Sequence, residues 1–240
     1  MLFRSADSEA IAQAVRGAKN AVLEGLMTHF ASAANYNSPQ TDQQQASFLR
    51  LTNELEALGI RPDFQHLSST IATAYGRQAA WGNMVRPGHG IYGYVSPAIG
   101  EAPKQILKVR PALTWKASIL AVKELPEGAQ VGYGGIFRTQ RATRIAILAV
   151  GYADGLPHRL SNKGKVIAGG RLAPIVGSVS MDVTTIDITG IPGLKIGDAV
   201  TLLGEEGAES LDAQQIARLA GTISYSVLCG ISARVKRIYI

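Results

Sequence analysis

The strongest constraint on this chain is a change of texture near residues 96–104, where Pro97, Gly100 and Pro103 mark a linker. Before it, short apolar strands alternate with amphipathic helical stretches. After it, runs rich in Val, Ile, Leu and Thr, notably 107–125 and 143–150, are punctuated by Gly and Pro, with one helical pattern around 211–219. A hydrophobic period that switches along the chain implies two domains of different class. Residues 1–102 read as parallel βα units, and residues 103–240 as an all-β barrel or sandwich. At 240 residues the chain can supply a core to each.

In the first part, Ser5 or Asp7 can cap a helix running to about Lys19, with Ile11, Ala14, Val15, Ala18 and Val22 on one face. Residues 25–30 read as a short buried strand. A polar loop over 35–41 precedes a second helix, with Phe48, Leu51, Leu55 and Leu58 on one face and Gly59 suited to a left-handed cap. Strands are expected again at 63–67 and 83–86, separated by a short Ala/Thr-rich helix. Three such units fall short of a (β/α) barrel, which takes about 250 residues and eight strands. The chain also opens on a helix with no strand before it, so the α/β part reads as a partial, TIM-type barrel remnant.

Composition narrows the function classes. The sequence is 46% hydrophobic and 18% charged, ordinary for a globular protein. The formal net charge is +6, but the basic clusters Arg138/Arg141/Arg144 and Arg234/Lys236/Arg237 lack aromatic interleaving, so no nucleic-acid partner is expected. No apolar run reaches the roughly 18 residues of a membrane span, and polar Ser5, Asp7 and Glu9 follow the start at once, against a signal peptide. The single cysteine, Cys229, sits in an apolar setting and cannot form an internal disulfide, which points to a reducing, cytoplasmic compartment. Too few His, Cys and acidic residues stand at ligand spacing for a metal site, and no G-x-S-x-G elbow is present.

The residues that can carry chemistry gather at glycine-rich turns. Val131-Gly132-Tyr133-Gly134-Gly135 holds a lone tyrosine between glycines, which permit positive φ and close approach of a ligand. A phenol so held can donate or accept a proton, and it fits a plain hairpin end equally well. Arg86 ends a presumed strand before Pro87-Gly88-His89-Gly90. Its guanidinium can donate to a ring nitrogen or an anion, and the turn's N–H groups can hold a phosphate, although such loops are commonplace. Gly151-Tyr152-Ala153-Asp154-Gly155 follows the apolar run 145–150, and Ser180-Met181-Asp182 interrupts another; each also fits an ordinary turn. His29 and His66 each end a presumed strand, where barrel active sites are built, and either can be a satisfied core histidine.

In this order and spacing the pieces resemble the alanine racemases, fold-type III enzymes that use pyridoxal 5'-phosphate. The matching stretches are GLMTHFASA at 25–33, NMVRPGHGIYG at 83–93, VGYG at 131–134, GYADG at 151–155, PIVGSVSMD at 174–182 and residues 224–237. The resemblance runs from about Leu23 onward and corresponds to the family's C-terminal portion. It implies that Tyr133 is the catalytic base on one face of the substrate's α-carbon, reaching the active site of a partner subunit. It also implies that Arg86 meets the pyridine nitrogen. An arginine stays charged and cannot hand the ring a proton, so the ring is a weaker electron sink. By the same resemblance His29 packs near the ring and His66 supports Arg86. Thr70, Gly88, His89 and Tyr225 fall on the phosphate side. Met181, Asp182 and Tyr152 fall on the substrate side, with Arg159 nearby. The implied activity is interconversion of L- and D-alanine, supplying D-alanine for peptidoglycan, in a homodimer.

Two departures accompany the match. Ser68-Ser69-Thr70 stands where the family commonly has a serine after an asparagine, and Thr70 keeps the hydroxyl. No stretch resembles the family's cofactor-lysine segment, V-K-A-N-A-Y-G-H-G; the first lysine here is Lys19. The family's reaction uses that lysine and the tyrosine on opposite faces, so the chain alone is expected to be inactive and to require a missing N-terminal half. The alternative expectation is a non-catalytic β domain that serves in binding or dimerisation.

Overall fold

A computed structural model describes residues 7–240, and the chain divides into two units, Met1–Ala112 and Leu113–Ile240. The first unit begins with α1 (Ser8–Gly17), with Asp7 at its N-cap position; the other candidate cap, Ser5, lies outside the described residues. α1 buries Ile11 and Ala12 and stops at Gly17. Val22 therefore falls beyond the helix and is exposed, not on its apolar face as expected. β1 (Gly25–Met27), α2 (Gln40–Ala57), β2 (Phe64–His66), α3 (Thr70–Ala74) and α4 (Gly88–Ile91) follow. α2 ends as its sequence foretold. Gly59, at φ 77°, donates to Glu56 O at 3.0 Å and Ile60 donates to Leu55 O at 2.9 Å, a Schellman cap. The helix sits between two clusters: Phe48 packs with Phe30 and Leu67, and Leu51 and Leu55 pack with Ile11 and Ile60.

β1 and β2 pair in parallel, with Met27 opposite His66, which sets their C-terminal ends side by side. The strand expected at 83–86 is reduced to a single parallel bridge, Ser69 to Arg86. Asn83 explains why. Its Oδ1 accepts from Gln65 N–H at 2.9 Å and its Nδ2 donates to Asp63 O at 2.6 Å, so a side chain does the work of a ladder. Gly82, at φ 63°, bends the chain just before it. The described residues of this unit thus hold two paired strands and two isolated parallel bridges, Ser69 to Arg86 and Asn35 to Ile99, rather than a closed barrel. Residues 103–112 bond back to the same unit, through Ile106 N–H to Ala74 O at 2.8 Å and Ala112 N–H to Tyr92 O at 3.1 Å. The strand expected from 107 consequently begins only at Trp115.

The second unit contains β3 (Trp115–Leu125), β4 (Gln130–Val131), β5 (Phe137–Arg138), β6 (Thr143–Leu148), β7 (Lys165–Ala168), β8 (Arg171–Pro174), β9 (Thr184–Asp187), β10 (Ala199–Glu206) and β11 (Glu209–Leu211). β4 and β5 form a separate hairpin. The main sheet runs β8-β7-β10-β3-β6-β9, with β11 beside β10, and its pairings are antiparallel. Its outer strands meet where Ile175 bridges Ile186 and Val176 N–H donates to Thr185 O at 2.9 Å, which closes the sheet into a barrel. In β3, Trp115, Ala117 and Ile119 point inward while Lys116, Ser118 and Leu120 point outward, the period-two alternation of a half-buried strand. Ile119, Leu148, Ile167, Ile186, Leu202 and Leu203 fill the interior. α5 (Ala213–Ala220) starts in a capping box between Asp212 and Gln215 and ends at Gly221, φ 64°. A second helix, α6 (Ser224–Gly230), adds to the one expected. Its serines, valine and cysteine carry little helical propensity, and burial of Val227 and Leu228 overrides that.

Candidate functional site

In the first unit the side chain at the centre of the candidate site is Arg86. Its Nη1 donates to His66 Nδ1 at 2.6 Å and to His66 O at 2.9 Å. Its Nη2 donates to Thr28 O at 2.8 Å and reaches His29 Nδ1 at 3.3 Å and Leu67 O at 3.4 Å. The parallel pairing of β1 and β2 makes this possible, because both strands end on the same side and offer carbonyls beyond their ladders. Arginine has no acceptor, so His66 Nδ1 must be unprotonated and the ring proton sits on Nε2. Burial, and secondarily the neighbouring Arg86 charge, lower the His66 pKa and keep the ring neutral. Burial also lowers the Arg86 pKa from its ordinary value, which is so high that the group stays charged. Gln44 of α2 fixes the approach from outside, donating through Nε2 to Thr28 Oγ1 and His29 O, both at 2.8 Å.

Thr70 opens α3 and is 2% exposed. Its Oγ1 accepts from Gly90 N–H at 3.0 Å, which ties it to the turn that begins α4 and leaves its own O–H for another acceptor. A side chain at Gly90 would press on the Thr70 methyl, at 3.3 Å. Gly88 is exposed, and His89 turns inward to stack on Tyr94 with ring centroids 5.4 Å apart. Burial lowers the His89 pKa, so this ring too is neutral. The His89 side chain is thus turned away from solvent, while Gly88 beside it is exposed.

In the second unit Tyr133 tops the β4–β5 hairpin and is 79% exposed. Gly132, Gly134 and Gly135 have φ of 74°, 72° and 56°, the left-handed region that other residues avoid. The loop lies backbone to backbone against residues 177–178. A Cβ on Gly132 would stand 2.9 Å from Ser178 N, and one on Gly177 would stand 2.7 Å from Val131 O. Ser178 Oγ donates to Tyr133 O at 3.0 Å. Beside the tyrosine is an open cavity of about 310 Å³ lined by Gly132, Tyr133, Ser178, Ser180, Val183 and Thr185.

The two remaining turns lock together. Tyr152 N–H donates to Ser180 O at 2.9 Å and Ala153 N–H to Met181 O at 3.0 Å, an approach that leaves no room for a side chain at Gly151. Asp154 closes its own turn by accepting from Gly151 N–H at 2.9 Å. Arg234 joins both turns, donating to Asp182 Oδ1 at 2.7 Å and pairing with Asp154 Oδ1 at 3.4 Å. Its hydrogen bond to Asp182 raises its pKa, helped by the charge of Asp154. Met181 and Tyr152 stay half exposed, and Tyr152 meets His158 edge to face.

The structure brings Arg86, His66 and His29 into one cluster, Thr70, Gly88 and His89 into a second, and Tyr152, Met181 and Asp182 into a third. Tyr133 stands at its own cavity. Tyr225 lies on α6, and Arg159 lines a separate pocket of about 390 Å³ with Gly221 and Ser226. Gln44, Ser178 and Arg234 were missed as supports. Each acts through a hydrogen bond to a residue distant in sequence, for which no local pattern exists.

Comparison with known proteins places these clusters in context. Residues 112–239 match the family description "Alanine racemase, C-terminal domain", and residues 3–97 match "Alanine racemase, N-terminal domain". The chain is 42% identical over 225 residues to the alanine racemase of Halothermothrix orenii, covering 94% of this chain and 58% of that protein. It is 40% identical over 217 residues to that of Symbiobacterium thermophilum, covering 90% and 56%. The chain thus spans somewhat more than half the length of these relatives. Among solved structures, alanine racemase from Bacillus anthracis with bound L-Ala-P aligns with a TM-score of 0.89 at 33% identity, covering all of this chain and 61% of that one. The Bartonella henselae enzyme with covalently bound pyridoxal phosphate aligns at 0.82 and 26%, covering 99% and 62%. With one family description covering more than half of its residues and the other most of the remainder, the chain belongs to the alanine racemase family.

Proposed function

We propose that this chain supplies part of the machinery for a pyridoxal 5'-phosphate-dependent interconversion of L- and D-alanine. The observation that carries the proposal is the fixing of Arg86. Both terminal nitrogens are taken by acceptors at the ends of β1 and β2, and among the described residues its Nε has no partner, leaving one N–H for an acceptor such as a pyridine nitrogen. Thr70, with a free O–H, and the main-chain groups of Gly88 and His89 suit a phosphate, with Tyr225 as a further phosphate-side group. These residues fit the cofactor. When bound, it withdraws electrons from the substrate's α-carbon and so eases removal of the proton there.

The chain's own residues then divide the work. Arg86 would hold the ring nitrogen with a fixed positive charge and, unable to give up a proton, would leave the group a weaker electron sink. Neutral His66 keeps the guanidinium in plane, and His29 closes its other edge. Tyr133 takes or returns the proton on one face of the α-carbon. Met181, Asp182 and Tyr152 shape the substrate side. The base for the opposite face would come from a segment like the part of the relatives that this chain does not span. The product would serve peptidoglycan synthesis in the cytoplasm, with no nucleic-acid partner. Among the described residues no helix is long and apolar enough to cross a membrane.

A hybrid tests this. The part of the Halothermothrix orenii relative that the chain does not span is fused to it, and α-proton exchange of each alanine enantiomer is followed in D₂O. The proposal expects exchange of both enantiomers, with Tyr133→Phe suppressing one of them by about 10²–10⁴-fold. A folded hybrid that takes up pyridoxal phosphate yet exchanges neither enantiomer refutes it. A second reading, the β domain as a binding or dimerisation module, is favoured by the exposed Tyr133, Ile136 and Met181. That reading expects self-association without exchange.

A further inference from the structure

We infer that Asn162, which lies outside every motif above, is the positioning residue that fixes the Tyr133 loop; the inference rests on the role proposed for Tyr133. Among the described residues Asn162 is the only one other than glycine with positive φ, at 55°. Asparagine tolerates that conformation better than most residues, though it is a modest strain and needs a return. The return is a two-sided grip. Nδ2 donates to Ile136 O at 2.9 Å, three residues after Tyr133, and Oδ1 accepts from Gly177 N–H at 2.6 Å, next to the serine that holds Tyr133 O. One amide thus spans both sides of the contact on which the tyrosine loop rests. Its neighbour Ser161 reinforces the far side, since Ser161 Oγ accepts from Val179 N–H at 2.9 Å.

The loop needs such an external hold. With three positive-φ glycines around it, the hairpin tip has unusual backbone freedom, and the Tyr133 ring is itself mostly in solvent. Packing of the ring does not locate the hydroxyl, so the backbone must. Besides the apolar packing of Val131 and Phe137 with Ile145 and Val176, three contacts of the backbone locate the loop: the close approach to residues 177–178, the Ser178 bond and the Asn162 amide. Asn162 is the only one of the three that links the hairpin's return strand to the 177–179 segment.

The test uses the full chain labelled with 3-fluorotyrosine, its Tyr133 ¹⁹F resonance assigned with Tyr133→Phe. Asn162→Gly keeps the left-handed backbone and deletes both hydrogen bonds. The expected result is a displaced and broadened Tyr133 signal with the other tyrosines unmoved, and amide exchange at Gly177 faster by roughly three- to tenfold. Asn162→Asp keeps the acceptor for Gly177, so it should restore slow exchange there while leaving the Tyr133 signal displaced. An unmoved Tyr133 signal in both variants overturns the inference. So does a change spread over all tyrosines, which would make Asn162 a residue of the barrel's stability alone. If Asn162→Gly does not fold, the Asp variant decides by the same signal. The role of Tyr133 fails separately: normal exchange of both alanine enantiomers by the hybrid carrying Tyr133→Phe would remove it without touching the ¹⁹F result.

Discussion

Replacing Arg86 by methionine keeps the aliphatic stem and deletes every donor. Two acceptors then lose their partner, Thr28 O and His66 Nδ1, bonded at 2.8 and 2.6 Å, while His66 O, bonded at 2.9 Å, keeps the Thr28 N–H. A buried acceptor left unmet costs about 1–3 kcal/mol, and because this site is partly open to water the lower end applies. The sum is about 2 kcal/mol, or roughly thirtyfold in the equilibrium for opening the β1–β2 ends. Hydrogen exchange followed by mass spectrometry reads this directly. The amides of Thr28, which donates to His66 O, and of residue 86, which donates to Ser68 O, should exchange roughly thirtyfold faster. The barrel amides of the second unit should not change, which supplies an internal control. Arg86→Lys should recover part of the protection, since an ammonium can reach some of these acceptors but lacks the planar fork. Unchanged exchange at Thr28 in Arg86→Met would refute the reasoning, because it would mean that water replaces the guanidinium at no cost.

Three further outcomes are expected. His66 and His89 both have folded pKa values below their ordinary one, so the unfolded chain binds more protons as the medium acidifies. Stability in urea should be full above about pH 6.5 and drain as pH falls through that value toward the lowered folded ones; His89→Phe, which keeps the stack on Tyr94, should flatten the curve, and a flat wild-type curve would contradict the assignment. Gly132→Ala forces a Cβ to 2.9 Å from Ser178 N at φ 74°, a cost of about 1–2 kcal/mol or more, seen as a barrel melting some 5 °C lower; an unchanged melting point would show that the loop moves freely. Finally, Lys19 lies beyond the end of α1, and no lysine partners Arg86, Thr70 or Tyr133 among the hydrogen bonds described above. Borohydride treatment of the chain with pyridoxal phosphate should trap no specific lysine, and a stoichiometric adduct on one of them would overturn this.

Where periodicity governs, the sequence was a good guide. Phe48, Leu51 and Leu55 recur at helical spacing and are buried, Gly59 caps their helix, and most of the apolar run over 107–125 forms β3, though only from Trp115. Legibility ends where side chains replace backbone. Asn83 stands in for a ladder and so erases the third strand, and the failure of α1 to reach Val22 follows from one glycine. The site shows the same division. Arg86 and His66 were visible because strand ends gather chemistry, and Tyr133 because glycines isolate it. Gln44 reaches across 15 residues to His29 and Arg234 across 52 to Asp182, distances over which no local pattern exists to be read.

The strand order of the barrel has a bearing on how the chain is made. β3 lies at the centre of the sheet, and one of its two neighbours, β10, follows it by about 80 residues, with Ser118 opposite Ala199. Emerging from the ribosome, β3 can zip to β6 early but must wait for β10 with one edge unpaired. The Ile175–Ile186 seam joins neighbours in sequence and can form sooner, yet it closes a ring whose middle is still absent. Synthesis interrupted between the end of β3 at Leu125 and the start of β10 at Ala199 therefore leaves β3 with a bare edge. The barrel is thus completed only when a strand far along the chain has been made, and the interval before completion is when it is most exposed to chaperones and to other copies of itself.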